Sequence, residues 1–226
     1  MPDGRLLIGN KRYSSWSMRG WLAVHLAGLD VEEVLIPFVR DAGPVTPAIA
    51  AATPAGLVPY LEHQGARVWE SLSICEYCAE QAPGHATPLW PEDRVARAAA
   101  RSLSAEMAAG LRGLRQAMWF NAGADFAGLG RTPEALKDIA RIEAAWAEVL
   151  AAHGGPFLFG GRFGMADVMY APVVGRFLTW QPVLSATTKA YMAAVRAHPL
   201  VDRWYREALA EPAAWQLAGY ETPPAS

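Results

Sequence analysis

Residues Pro83-Gly84-His85-Ala86-Thr87-Pro88-Leu89-Trp90-Pro91 carry three prolines and no hydrophobic periodicity. Proline gives no backbone donor to a helix or a central strand, so such a stretch separates structure rather than continuing it. It divides two unlike patterns. Before it, Leu6-Leu7-Ile8 reads as a strand, residues 17–27 as a helix stopped by Gly28, and Val34-Leu35-Ile36 as a second strand. Residues 44–52 are weakly helical, 58–62 and 66–69 form a hairpin around Gln64-Gly65, and 71–81 make a closing helix with Ser71 as its cap. After the divide nearly everything is helical. Leu103, Met107, Leu111, Leu114 and Met118 recur at spacings of three and four within one long helix over 92–121. Thr132-Pro133-Glu134 opens a helix to about residue 152, and 167–180 is a very apolar helix that Pro172 must kink or locally repair. Helices over 187–197 and 201–210 finish the chain. The expected organisation is an α/β domain over 1–82 in the order βαβαββα, a linker over 83–91, and an all-α domain over 92–226.

Bulk properties narrow the functional classes. A chain of 226 residues, 52% hydrophobic and 19% charged, can bury a sizeable core. A net charge of -2 with scattered basic residues gives no footprint for nucleic acid. No apolar run reaches the roughly 18–20 residues of a membrane span, and the opening residues are too short in apolar length for a signal peptide. Two cysteines make no disulfide framework, which points to a reducing cytoplasm, and five scattered histidines form no metal-ligand pattern.

Three stretches are spaced like parts of one site. Tyr13-Ser14-Ser15-Trp16-Ser17-Met18-Arg19 puts hydroxyls where the first strand yields to the first helix. Helix starts offer unpaired N–H groups and partial positive charge, so an anion is favoured there. Leu57-Val58-Pro59-Tyr60-Leu61 places a proline inside an apolar, strand-like run. Trp69-Glu70-Ser71-Leu72-Ser73-Ile74 sets a carboxylate and a hydroxyl at another helix start.

Together these residues resemble the glutathione S-transferase superfamily. Ser14-Ser15-Trp16-Ser17-Met18-Arg19 is similar to the signature of the serine-type zeta class, except that Trp16 stands where zeta enzymes carry cysteine. The loop from Thr53 to Leu61 resembles the family's approach to a cis-proline, and Glu70-Ser71 the segment that grips the γ-glutamyl end of glutathione. Residues 157–167 resemble the buried capping motif of the helical domain, with Gly164 in place of the usual Ser or Thr and Asp167 as the matching member. The resemblance implies a thioredoxin-like domain followed by an all-helical one, a homodimer, glutathione as co-substrate and no metal.

It also implies roles. A free thiol has a pKa near 8.5, and lowering it by about two units requires roughly 2.7 kcal/mol of preference for the thiolate. A hydroxyl donating to sulfur at a helix start is adequate. Ser14 is expected in that role, with Ser15 as runner-up; either serine could instead simply cap the helix. Pro59 is expected cis, turning the Val58 backbone toward the ligand peptide. Glu70 and Ser71 would hold its α-amino and α-carboxylate groups. Arg19 is expected on the surface or in a structural salt link, and Lys11 and Arg12 are read as general positive potential. Asp167 is expected to be structural, its replacement by Ala costing about 1–2 kcal/mol. Tyr13, Trp16, Met107, Leu111, Arg115 and Trp119 are candidate walls of an acceptor pocket between the domains.

The leading expectation is a transferase that directs the glutathione thiolate at an electrophilic small molecule. Alternatives are a glutathione-dependent isomerase of the maleylacetoacetate type, a ligand-binding protein without turnover, and a thiol-disulfide oxidoreductase using Cys75 and Cys78. That last pair has redox spacing but lies inside the third helix, not where the first strand meets the first helix.

Overall fold

The computed structural model describes residues 1–39, 46–82 and 88–223. Strand β1 (Gly4–Ile8) runs inward, its last three residues buried. It leads into α1 (Ser15–Ala27), which begins two residues earlier than the apolar pattern suggests because Ser14 caps it. Gly28 ends it in the left-handed region at φ 69°, a conformation that glycine adopts without penalty. Strand β2 (Glu32–Leu35) pairs parallel with β1, and α2 (Pro47–Ala52) follows. Strands β3 (Tyr60–His63) and β4 (Ala66–Trp69) form the hairpin, with Gln64 and Gly65 both at positive φ as a tight two-residue turn requires. The sheet order is β2-β1-β3-β4, with β3 antiparallel to β1. Helix α3 (Ser71–Gln81) packs against α1. This is the expected thioredoxin-like βαβαββα unit.

The remaining elements are helical: α4 (Arg94–Ala109), α5 (Arg112–Ala117), α6 (Pro133–His153), α7 (Met165–Trp180), α8 (Ala186–Ala197) and α9 (Pro199–Leu209). A 3-10 turn at Ala213–Trp215 and a short α10 (Ala218–Glu221) end the described chain. Helix α7 is apolar on every side and accordingly buried, packed against α1, α4 and α8. Trp146 of α6 meets Tyr170, Phe177 and Tyr191 edge-on around it.

The structure corrects two local expectations. The single helix over 92–121 is two helices, broken at Gly110 and at Leu111, which takes φ 53°. Glycine weakens a helix interior, and Asp138 of α6 accepts the N–H of Leu114 to start the second segment, while the apolar spacing carries on across the break. Ser71 is the first residue of α3 and not its cap, which is Glu70 at φ 66°. Helix α7 runs on through Pro172, which lies inside it. Residues 83–87 of the expected linker, and the expected helix start at Pro44, lie outside the described residues.

Candidate functional site

The site is built where β1 gives way to α1. Ser14 Oγ accepts the N–H of Ser17 at 3.2 Å and lies 2.7 Å from Ser17 Oγ, which in turn accepts the N–H of Gly9 at 3.0 Å. The cap therefore ties the end of the strand to the first helical turn. Ser15, next along, accepts a hydrogen bond from Arg176 Nη2 at 3.1 Å. Both serines are buried to the same degree.

Arg176 lies in the apolar α7 and is buried. Its Nη1 donates to the carbonyl of Pro172 at 3.3 Å, and its Nε has no hydrogen-bond partner among the described residues. Burial, then the charge of Arg115, pushes its pKa down to about 9, so it stays protonated at neutral pH. Arg19 is wholly buried, which corrects the expected surface or salt-linked position. Its Nε donates to the carbonyl of Met169 at 2.8 Å and its Nη1 to that of Ser15 at 3.0 Å, with Nη2 against Met107 Sδ. Burial, then the charges of Arg176 and Arg115, holds its pKa well below the usual guanidinium value. The ring of Trp16 takes Arg19 at 4.6 Å and Arg115 at 5.4 Å from its centre. Three like charges thus gather around Ser15 and Trp16, Arg176 on the Ser15 hydroxyl and Arg19 and Arg115 on the Trp16 ring, an arrangement that favours an anion.

The other ligand-facing candidates come from the hairpin and α3. The Val58–Pro59 bond is cis, as expected. Gly20 of α1 lets the helix approach this loop: a Cβ there would lie 2.7 Å from Pro59 Cβ. Glu70 is exposed ahead of α3, and Ser71 is buried in its first turn.

The candidate acceptor walls divide. Trp16 and Arg115 come together, both half-buried. Met107 is wholly buried behind Arg19, and Leu111 is buried at the helix break, so both belong to the core rather than to an open wall. Tyr13 and Trp119 meet residues of the chain's end: Tyr13 donates to Glu221 at 2.5 Å, and Trp119 Nε1 to the carbonyl of Tyr220 at 3.0 Å. Lys11 and Arg12 do not supply free positive potential. Lys11 is paired with Glu33 and Glu207, and Arg12 holds Glu221 through Nε at 2.8 Å and Nη2 at 3.0 Å.

Asp167 sits at the start of α7, where Oδ1 accepts the N–H of Leu158 at 3.0 Å and Oδ2 that of Gly164 at 2.9 Å. Tyr191 donates to Oδ1 at 3.0 Å, and burial raises the carboxyl to about 6 despite these donors. Cys75 and Cys78 are free, buried thiols with raised pKa, Cys78 to about 12, which suits packing and not nucleophilic chemistry. Among the described residues no group of His, Cys, Asp and Glu could hold a metal ion, and no helix is long and apolar enough to cross a membrane.

Residues 13–81 match the family model for the glutathione S-transferase N-terminal domain, and residues 92–207 the one for its C-terminal domain. The chain belongs to the glutathione S-transferase family. This transferase is 30% identical to the maleylacetoacetate isomerase of Rattus norvegicus over 85% of its own length and 90% of the relative. It is 32% identical to the maleylacetoacetate isomerase of Rhizobium meliloti (strain 1021), over 76% and 82% of the two chains. Among solved structures it resembles a maleyl pyruvate isomerase, a bacterial zeta-class glutathione S-transferase, with TM-score 0.69, 25% identity and 92% and 99% coverage. These likenesses agree with the zeta-like reading of the Ser14 loop.

Sequence reasoning about the transferase missed Arg176 and Glu221. Arg176 carried a usable signal, being the one basic residue inside the apolar run from Met165 to Trp180. Glu221 carried none, because an exposed-looking acid near a terminus is ordinary.

Proposed function

We propose that this transferase ionises glutathione at Ser14 and adds the thiolate to an electrophilic carbon of a small molecule that carries a carboxylate. The carrying observation is Arg176, buried beside Ser15 with an Nε that has no hydrogen-bond partner among the described residues. In this reading Ser14 faces the sulfur. A serine hydroxyl can donate once and accept twice, so rotation of the Ser17 hydroxyl toward Ser14 Oγ leaves the Ser14 proton for sulfur. Ser15 and Arg176 receive the acceptor's anion, and Trp16 and Arg115 flank it. The backbone of Val58 before Pro59 pairs with the ligand peptide, Glu70 takes its α-amino group, and Ser71 with the start of α3 takes its α-carboxylate.

The buried arginine and the names of the relatives favour one acceptor class, a cis-unsaturated diacid. Thiolate adds to one alkene carbon, and the π electrons move onto the neighbouring carbonyl as an enolate. Rotation about the new single bond follows, and collapse of the enolate expels the same thiolate and leaves the trans alkene. Glutathione is regenerated. With acceptors bearing a leaving group, the same thiolate gives stable conjugation, as in detoxification. The edge strand β4 exposes Trp69 at 46%, which supports a homodimer that covers it, and two free thiols are in keeping with a cytoplasmic setting.

The test is glutathione affinity capture, then ultraviolet thiolate titration and isomerisation of a cis-unsaturated diacid with catalytic glutathione. The parent should bind, show a lowered thiol pKa and convert the diacid without loss of thiol. Absence of a lowered thiol pKa overturns the reading, as does diacid turnover that is indifferent to Arg176→Met.

A further inference from the structure

Beyond α9 the chain turns back across the molecule and ends against the catalytic loop. Glu211 accepts the N–H groups of Lys11 at 2.5 Å and Arg12 at 3.3 Å. Leu217 donates its N–H to Tyr13 Oη at 3.1 Å, while Tyr13 donates to Glu221. Glu221 also takes both nitrogens of the Arg12 fork and Asn121 Nδ2 at 3.2 Å. The carbonyl of Tyr220 accepts from Trp119 Nε1 and Asn121 Nδ2. The ring of Tyr220 lies 5.4 Å from Tyr13 and 6.2 Å from Trp119. Two residues nominated as acceptor walls are therefore roofed by residues 217–221, and within α10 the Glu221 carboxylate ties the roof to Arg12 and Tyr13 of the loop that leads into Ser14.

The segment has one apolar anchor, Leu217, which is buried between the two turns; the 3-10 turn and α10 themselves hold no buried residue. With a single buried side chain and a set of polar bonds holding it, such a segment opens at a free energy below that of global unfolding.

We propose that Glu221 is a specificity-determining positioning residue: by holding Tyr13 and Arg12 it keeps Ala218–Glu221 closed as a lid over the acceptor side of the site. The proposal rests on the proposed function, in which the acceptor lies beside Trp16, and on the sequence expectation that Tyr13 and Trp119 wall the same pocket. Small acceptors react beneath the closed lid. Bulky ones require its release, so the Glu221 contacts set the size limit while glutathione binding and thiol ionisation lie outside their reach.

Full-length Glu221→Gln, which keeps shape and removes charge, is compared with the parent, and Tyr13→Phe serves as a second variant that breaks the same link. Hydrogen exchange should rise in residues 213–223 and 10–13 of both variants. Across a series of acceptors of increasing size, the preference for small over bulky ones should fall about tenfold through KM, with the thiol titration and the KM for glutathione unchanged. Unchanged exchange overturns the lid even if the parent is fully active. A common-factor loss of kcat for every acceptor overturns it too, because that is what a merely structural contact would do. A parent without glutathione-dependent turnover sinks the proposed function instead, and the exchange comparison still decides whether Glu221 holds the segment.

Discussion

Arg176 of α7 donates from Nη2 to the hydroxyl of Ser15, the first residue of α1, at 3.1 Å, across 161 positions of sequence. This contact joins the helical domain to the loop of the thioredoxin-like one. Because Nε of the same guanidinium is unpartnered among the described residues, a carboxylate arriving there would gain a charge-assisted bond and relieve the repulsion among Arg19, Arg115 and Arg176. Arg176→Met should lower kcat/KM for carboxylate acceptors by roughly 10- to 100-fold, about 1.5–3 kcal/mol, and spare uncharged aromatic acceptors. A dicarboxylate should raise the thermal midpoint of the parent more than that of the variant. Equal losses across both acceptor classes would refute the anion role.

Ser14 has two separable duties, capping α1 and facing sulfur. Ser14→Ala should lose about 1 kcal/mol of stability and raise the bound thiol pKa by about one to two units. A raised pKa means less thiolate at low pH. The activity deficit should therefore be largest near pH 6 and shrink above pH 9, where parent and variant are both ionised, on the order of magnitude set by the thiol pKa. Ser17→Ala should shift the titration less, through Ser14. A thiolate titration that superimposes on the parent's would remove Ser14 from the mechanism.

Asp167 satisfies two backbone donors and the Tyr191 hydroxyl. Each donor left unsatisfied in the interior costs about 1–3 kcal/mol, so Asp167→Ala should destabilise by about 3–5 kcal/mol, above the 1–2 suggested by a simple cap. Its pH dependence has a definite sign. The folded carboxyl titrates at about 6, above an ordinary aspartate, so the native state keeps its proton longer than the unfolded chain. That contribution is fully present below about pH 4 and is lost as pH rises through 6, on the order of 3 kcal/mol. Denaturant melts of the parent and Asp167→Asn at both ends of that window should show the parent's relative stability greatest at the acid end. A constant difference between the two proteins would refute the assignment.

Cys75 and Cys78 should behave as core residues. Thiol reagents applied to the native protein at mildly alkaline pH should modify neither at an appreciable rate, because burial disfavours both thiolates. Cys75→Ser should keep glutathione-dependent turnover. Rapid labelling of the folded protein, or loss of turnover, would reopen the oxidoreductase reading.

Which features were legible follows from how far their causes reach. Gly28 ends α1, Thr132 caps α6 and Pro133 opens it, since each depends on atoms within a turn of the chain. The break at Gly110 and Leu111 was hidden because the apolar spacing of Met107, Leu111 and Leu114 runs across it, while its partner, Asp138, lies in another helix. Arg19 looked like a surface residue because helical period alone does not reveal that both faces of α1 are covered, by α3 on one side and α7 on another.

By itself the amino-acid order determined the order of the strands and helices of the first domain and the position of a serine pair at a helix start, because backbone geometry and apolar periodicity are local. It also carried the likeness to the transferase family, spread over motifs in both domains. Tertiary structure alone decided which side chains meet: Arg176 with Ser15, Arg19 with Met169, and Glu221 with Tyr13, the last pair 208 residues apart. Such pairings arise from how packed helices are docked, and burial then makes each unmatched charge or donor costly enough to hold them.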